Sequence, residues 1–350
     1  MIKGLKVYHF RSHSFCDLNL IKGMFAIVGP NGIGKTNLLE AIALTTLGRS
    51  FRTENLKEIL KEGQTDAEVS LQFEEDLVEH EIRYRFGHQG KEILFNQTAY
   101  KSYSPLLGII PVGIVCPKDV VLIEGGPQFR RKYLNQILCQ ASKEYAFHLK
   151  RYTHALEQKN AALKAGAVRA LDPFEEILDQ SAKHLQQKRF ELLGELQLFL
   201  KDEEKALMNQ NETIDLKYAP SKMEMGASLR AKELERRTTL SGPHRDDFKI
   251  LLNDKEASIH ASEGQKRAMV LALRFAELSA LKIRTQKNPL LLIDDFGAHL
   301  DPIRTSRLLE RTRLLPQSIL TSPEVPQGAD AVYSIGLECP IKLKQPFVNI

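Results

Sequence analysis

Apolar and polar residues alternate through the first part of the chain, as in "IKGLKVYHF", and the alternation closes by residue 28 on "MFAIV", a short apolar run. Alternation has the period of a half-buried strand, and an unbroken apolar run next to glycine is that of a strand covered on both faces. The chain then passes through "GPNGIGKT" into "NLLEAIALTTL", whose leucines and isoleucine recur at helical spacing. Strand, glycine loop and helix are expected in that order. Between residues 67 and 96, "AEVSLQF", "HEIRYRF" and "KEILFN" read as strands joined by short polar turns with Gly87 and Gly90, and so as an antiparallel set.

From Pro127 to about Glu235 the pattern becomes helical, rich in Gln, Glu, Lys, Ala and Leu. Gly166 ends one helix, and Asp172 as N-cap, Pro173 at the first helical position and the acids Glu175 and Glu176 open the next. The expectation is an antiparallel hairpin of two helices of about 20 to 35 residues, far short of the sustained heptads of a long coiled coil. After Thr238 strand character returns in "DDFKILLN". There follow a helix opening at "ASEGQKRAMVLALRF", the run "PLLLIDD", a helix from Asp301, and "SILTS". The expected fold class is α/β: a P-loop lobe with a mixed sheet that includes antiparallel strands, split in sequence by an inserted, mainly helical lobe. Residues 1–120 would form the first half of the P-loop lobe, 121–237 the helical lobe, and 238–350 the second half.

A chain of 350 residues exceeds the size at which one hydrophobic core usually stops growing, which agrees with two lobes. Hydrophobic residues at 43% and charged residues at 27% are ordinary for a globular protein and argue against disorder as the dominant state. The net charge of +5 permits a polyanionic partner without requiring one. Cys16, Cys116, Cys139 and Cys339 show no paired spacing for a zinc or redox site and read as reduced thiols of a cytoplasmic protein. The charged N-terminus lacks a signal-peptide core, and no run approaches the roughly 18 apolar residues of a membrane span. A soluble protein with no membrane of its own is expected.

The chemistry concentrates in two places. Gly29, Pro30, Asn31, Gly32, Ile33, Gly34, Lys35 and Thr36 satisfy the phosphate-loop pattern between a predicted strand and a predicted helix. Its glycines let backbone N–H groups wrap phosphates at a helix N-terminus. Lys35 is expected to neutralise the β- and γ-phosphates of ATP, and Thr36 to give its hydroxyl to Mg²⁺. The apolar run before Asp294 and Asp295 buries a strand whose end delivers both acids beside the phosphates. Asp294 would hold Mg²⁺ through water, and Asp295 would orient or deprotonate the attacking water.

Ser262, Gly264 and Gln265 open a helix and make a further anion cradle, or Ser262 simply caps that helix. One ATP accommodates two cradles if they approach from opposite sides, which points to two copies of the chain facing head to tail.

The ordered set "GPNGIGKTNLLEAI", "GRSFRT", "CPKDVVLIEGGPQFRRKYLNQIL", "GPHRDD", "ASEGQKR" and "LLLIDD" resembles the ATP-binding-cassette type of ATPase head, and specifically the RecF family of bacterial DNA replication and repair proteins. The resemblance covers almost the whole chain, most weakly residues 140–230. It implies ATP and Mg²⁺ as cofactors and slow ATP hydrolysis coupled to dimerisation. It further implies clamping of DNA near single-strand gaps, RecR and RecO as partners, and the RecA recombinase as the protein ultimately loaded. Thr321 would occupy the switch position where transport ATPases carry His, and Arg11 would lie near the adenine or ribose. Three departures stand out: Lys118 in place of an acid, Asn135 in place of Asp, and Ala298-His299 in place of Ser-Glu. Arg52, Arg130, Arg131, Lys132, Arg236 and Arg237 are candidates for DNA phosphates, although each reads first as an ordinary solvated or paired cation.

The ATPase subunit of a membrane transporter is the alternative, but it would normally carry a His switch and a Gly-Gly signature. A chromosome-organising protein would need a far longer coiled coil, and a small-molecule kinase would leave the signature and the paired acids unexplained.

Overall fold

The computed structural model describes residues 1–335, apart from 168–170, 210, 225 and 298–299, together with 342–344. It divides into two compact units, residues 1–119 with 281–350, and residues 120–280.

The first unit holds two six-stranded sheets. One is antiparallel and runs in the order β2 (His13–Asn19), β1 (Ile2–Phe10), β4 (Asp66–Glu75), β5 (Val78–Gly87), β6 (Gly90–Phe95) and β7 (Thr98–Tyr100). The other runs β15 (Lys342–Lys344), β14 (Ala331–Ser334), β3 (Gly23–Val28), β13 (Gln317–Ser322), β12 (Leu290–Ile293) and β8 (Val112–Val115), all parallel except β15. Its central strands are apolar on both faces, as expected of strands covered on both sides.

Helix α1 (Lys35–Leu47) packs against strands of both sheets, and so its apolar residues are not confined to one stripe. Leu38, Leu39, Ala41, Ile42, Ala43 and Leu44 are all fully buried in the core that the two sheets share. Full burial of a Leu or Ile side chain contributes roughly 1.5–3 kcal/mol, so α1, and with it the glycine loop, is held rigidly. The helix stops at Gly48, which adopts φ 68° and donates its N–H to the Leu44 carbonyl. A Cβ there would meet the Tyr103 ring at 2.2 Å.

The second unit is mainly helical: α2 (Val121–Glu124), α3 (Pro127–Ala141), α4 (Lys143–Ala165), α5 (Asp172–Leu207), α6 (Ala227–Arg236), α7 (Ala257–His260) and most of α8 (Glu263–Thr285). As partners of α4 rise in number those of α5 fall (His148 with Ser181, Lys159 with Glu175), so the two helices run antiparallel. Helix α5 begins at Asp172 itself, with Leu171 in the cap position rather than Asp172.

Two departures from the sequence expectation have one cause. A strand missed in the pattern, β9 (Ile214–Ala219), pairs antiparallel with β10 (Asp247–Leu252), which in turn pairs with β11 (Lys255–Glu256). This small sheet packs on α3 and α5, and the Tyr133 hydroxyl on α3 donates to the Leu273 carbonyl in α8. Residues 238–280 therefore belong to the helical unit, and the P-loop unit resumes at Leu281 rather than 238.

The interior of this unit is polar at its centre. Arg189, 2% exposed, donates to the Asp246 carboxylate (2.7 Å), the Pro243 carbonyl (2.7 Å), the Asn135 side-chain carbonyl (3.0 Å) and the Tyr145 hydroxyl (3.1 Å). Asp246 also accepts from the Tyr218 hydroxyl, Gln186 Nε2 and the Ser221 N–H. Asn135 accepts from both Tyr145 and Arg189. An Asp there would set a second carboxylate on the same guanidinium; Asn fills the place without a second buried charge. Lys159, equally buried, bridges Glu233 (2.7 Å) and Glu175 (3.3 Å).

Candidate nucleotide-binding site

Strand β3 ends at Val28, and the chain turns through Gly29, Pro30, Asn31, Gly32, Ile33 and Gly34 into α1. Gly32 and Gly34 take φ 83° and 107°, the left-handed region that favours glycine. At Gly34 there is also no room: a Cβ would lie 2.5 Å from Ser12 Oγ and 2.7 Å from His13 Nε2. His13 donates from Nε2 to the Gly34 carbonyl at 3.0 Å, and burial holds its pKa below the usual histidine value, so the ring is a neutral prop under the loop. Gly34→Ala is expected to destabilise the first unit by about 1–3 kcal/mol through backbone strain and to lower Tm by several degrees in a thermal melt. An unchanged Tm would mean that the Ser12-His13 turn simply yields.

Lys35 is buried, and its ammonium donates to the carbonyls of Gly29 (2.7 Å) and Pro30 (2.9 Å) inside the loop. Thr36 donates to Asp294 Oδ1 at 2.7 Å and so joins the start of α1 to the end of β12 across 258 residues of sequence. Thr321 on the neighbouring strand β13 donates to the same oxygen at 2.8 Å. Burial raises the Asp294 pKa, the two hydroxyls oppose the shift, and the charge of Asp295 adds to it. A divalent cation would reverse this balance, and a hydroxyl with a carboxylate is the hard oxygen donor pair that Mg²⁺ takes.

Asp295 follows at φ 53°, a conformation uncommon outside glycine but among those that Asp adopts. Thr321 holds it there: its hydroxyl oxygen accepts from the Asp295 N–H (2.8 Å) and its carbonyl from the Phe296 N–H (2.7 Å). Fully buried, Thr321 thus positions both acids at once.

Of the sequence-predicted residues, Lys35, Thr36, Asp294 and Asp295 converge with the loop in the first unit. Ser262, Gly264 and Gln265 lie at the start of α8 in the second. There Ser262 Oγ accepts from the Gln265 N–H (3.3 Å) and Gln265 Oε1 from the Ser262 N–H (2.8 Å), a reciprocal capping box. Gln265 Nε2 donates to Glu212. Within one chain Ser262 is therefore a helix cap.

The structure also shows what the pattern did not reveal. Glu40 on α1 is completely buried and accepts from Arg11 Nε (2.9 Å) and Nη2 (2.7 Å), from Arg52 Nη1 (3.3 Å) and from the Ser50 hydroxyl. Arg11, expected near the base or ribose, is committed to Glu40. The one available signal was an acid at a core position of an apolar helix. Among the cations considered for DNA, Arg130 forks onto Asp247 and Arg131 donates to the Asp246 carbonyl, while Lys132, Arg236 and Arg237 are exposed. Lys118 is exposed as well, and His299 lies outside the described residues. Cys16 is buried and Cys116 and Cys139 are half-buried, without a disulfide among the described residues; Cys339 lies outside them.

Comparison with known proteins places this geometry. Residues 1–337 match the RecF/RecN/SMC N-terminal domain. A curated relative, the DNA replication and repair protein RecF of Protochlamydia amoebophila, is 34% identical over 337 residues, covering 92% of this chain and 94% of its own. The chain belongs to the RecF family. Two solved structures of the recombination mediator protein RecF in the RecFOR pathway, described as RecF-ATPrS and RecF-ATP, superpose with TM-scores of 0.86 and 0.85. Both are 30% identical; the first covers 96% of each chain and the second 95%. The α/β class and the RecF-type head expected from sequence agree with these matches.

Proposed function

We propose that this member of the RecF family is an ATP-dependent DNA-binding protein of replication and recombinational repair, in which ATP joins two copies into a clamp on DNA near single-strand gaps and slow hydrolysis releases it. The observation that carries the proposal is the hydrogen bond from Thr36 to Asp294, which assembles phosphate loop and acidic strand end into one site. It is supported by the RecF relatives described with ATP and ATPrS. RecR and RecO are the proposed partners, in line with the RecFOR pathway of those relatives, and RecA the recombinase that gains from the clamp.

In this reading the loop N–H groups take the β- and γ-phosphates, and the Lys35 ammonium swings from the Gly29 and Pro30 carbonyls onto the phosphate oxygens. Thr36 and Asp294 would hold Mg²⁺, which would supply positive charge against the β- and γ-phosphates. Asp295 orients the attacking water and takes its proton as the γ-phosphoryl group leaves ADP. Thr321 offers no imidazole and is already engaged with both acids, which favours slow turnover. The N-terminus of α8 completes the site from the second copy, Ser262, Gly264 and Gln265 facing the γ-phosphate. Among the described residues no helix is long and apolar enough to cross a membrane. The family match gives no support to the transporter alternative.

Light scattering with and without ATP and duplex DNA tests the switch. The parent protein is expected to double in mass with ATP, and Ser262→Arg to remain a monomer while still binding ATP. Ser262→Ala is the comparison: it removes the hydroxyl, and with it the cap at about 1 kcal/mol, without the bulk and charge that Arg would bring to the second copy's phosphates. ATP-dependent dimers of Ser262→Arg equal to the parent's would overturn the trans arrangement.

A further inference from the structure

The helical hairpin carries a cluster that the nucleotide chemistry does not use. Glu144 and His148 sit one turn apart on α4, at the i, i+4 spacing that places two side chains on one helix face. His184 on α5 meets them. The two imidazoles stack with ring centroids 4.3 Å apart, and His184 Nδ1 lies 3.8 Å from Glu144 Oε1. One donor atom from each of the three residues falls within 4.8 Å of the others. His184 presents Nδ1 to Glu144, while its Nε2, on the other side of the ring, is buried.

We infer that Glu144, His148 and His184 form a transition-metal site, of the Zn²⁺ class, that staples α4 to α5. Two imidazoles and one carboxylate, with water in the fourth place, are a common zinc donor set. Bonds of 2.0–2.2 Å would draw the donors to roughly 3.4 Å from one another, and the exposed Glu144 side chain is free to rotate inward. Ser181 Oγ lies 3.5 Å from His148 Nδ1 and can orient that ring, as the outer partners of ligating histidines do. Mg²⁺, which prefers oxygen ligands, would not compete here. The staple sits little more than one turn from Arg189 on α5, and so would fix the register in which that buried guanidinium meets Asp246.

The test uses the full chain in millimolar Mg²⁺. Co²⁺ is titrated and followed by its visible absorption, then displaced by Zn²⁺, and melting temperature is read in parallel. The expected result is one Co²⁺ per chain, displaced by one Zn²⁺, and a rise in Tm with Zn²⁺. His148→Ala, His184→Ala and the surface change Glu144→Gln should each weaken Zn²⁺ by at least about tenfold, the effect that even outer partners of metal ligands have. Glu144→Gln keeps the test decisive if the histidine variants fold poorly. Absence of Co²⁺ binding by the parent, or equal Zn²⁺ affinity in Glu144→Gln and a folded histidine variant, would overturn the assignment.

Discussion

Lys35→Met should weaken ATP binding by about three orders of magnitude, the 3–5 kcal/mol associated with taking one partner from a buried charge pair. The reason lies in where the ammonium starts. It is buried against the Gly29 and Pro30 carbonyls, at the mouth of the N–H cradle, and has only a short distance to travel to a phosphate. Met keeps much of the apolar stem, so the core around α1 should survive and Tm should fall by no more than a few degrees. Calorimetric titration with ATP beside a thermal melt separates the two effects. Affinity retained within about tenfold, with the fold intact, would remove Lys35 from the phosphate site.

The second large effect concerns the other unit. Arg189→Met is expected to destabilise it by about 3–5 kcal/mol, because Asp246 would remain buried as a carboxylate without its counter-charge. Burial alone would lower the Arg189 pKa, yet Tyr145 and Asp246 outweigh it and hold the guanidinium firmly charged. Adding Asp246→Asn should recover part of the loss, since the charge left behind is then gone while the amide oxygen still accepts from Gln186 and Ser221 and the Tyr218 hydroxyl can turn to accept from the amide nitrogen. Hydrogen exchange of α5 amides reads this unit separately from the first. Equal protection in parent and Arg189→Met, or a double variant worse than the sum of the singles, would contradict the account.

Much of the first unit was legible because its signals are local. The run "MFAIV", the glycine loop and the apolar spacing of α1 each occupy a few adjacent residues, and the alternation from 67 to 96 gave three antiparallel strands. The meeting of Thr36 with Asp294 followed from motif order. The involvement of Glu40 did not, because a buried acid reads as an exception until its partners Arg11, Ser50 and Arg52 are seen around it. Strand β9 has a period-2 pattern in Ile214, Leu216 and Tyr218, but it is short, lies in a helix-rich stretch and finds its partner about thirty residues on. Once that pairing is missed, "DDFKILLN" falls to the wrong lobe. Ser262 remained ambiguous for another reason: a cap and an anion cradle use the same atoms.

The register of β3 has a consequence for how the protein is made. Its sheet neighbours are β13 and β14, with Gly23 aligned to Gln317 and Phe25 to Ala331. Residues 120–280 form their unit without interruption in the chain. The strand that presents the phosphate loop has no partner in its sheet until translation has passed residue 317. Loop closure over so long a stretch is slow. A strand made among the first thus waits for nearly the whole chain before it is paired in its sheet, and a chain that stops short of β13 carries a complete phosphate-loop sequence on a strand without a sheet partner.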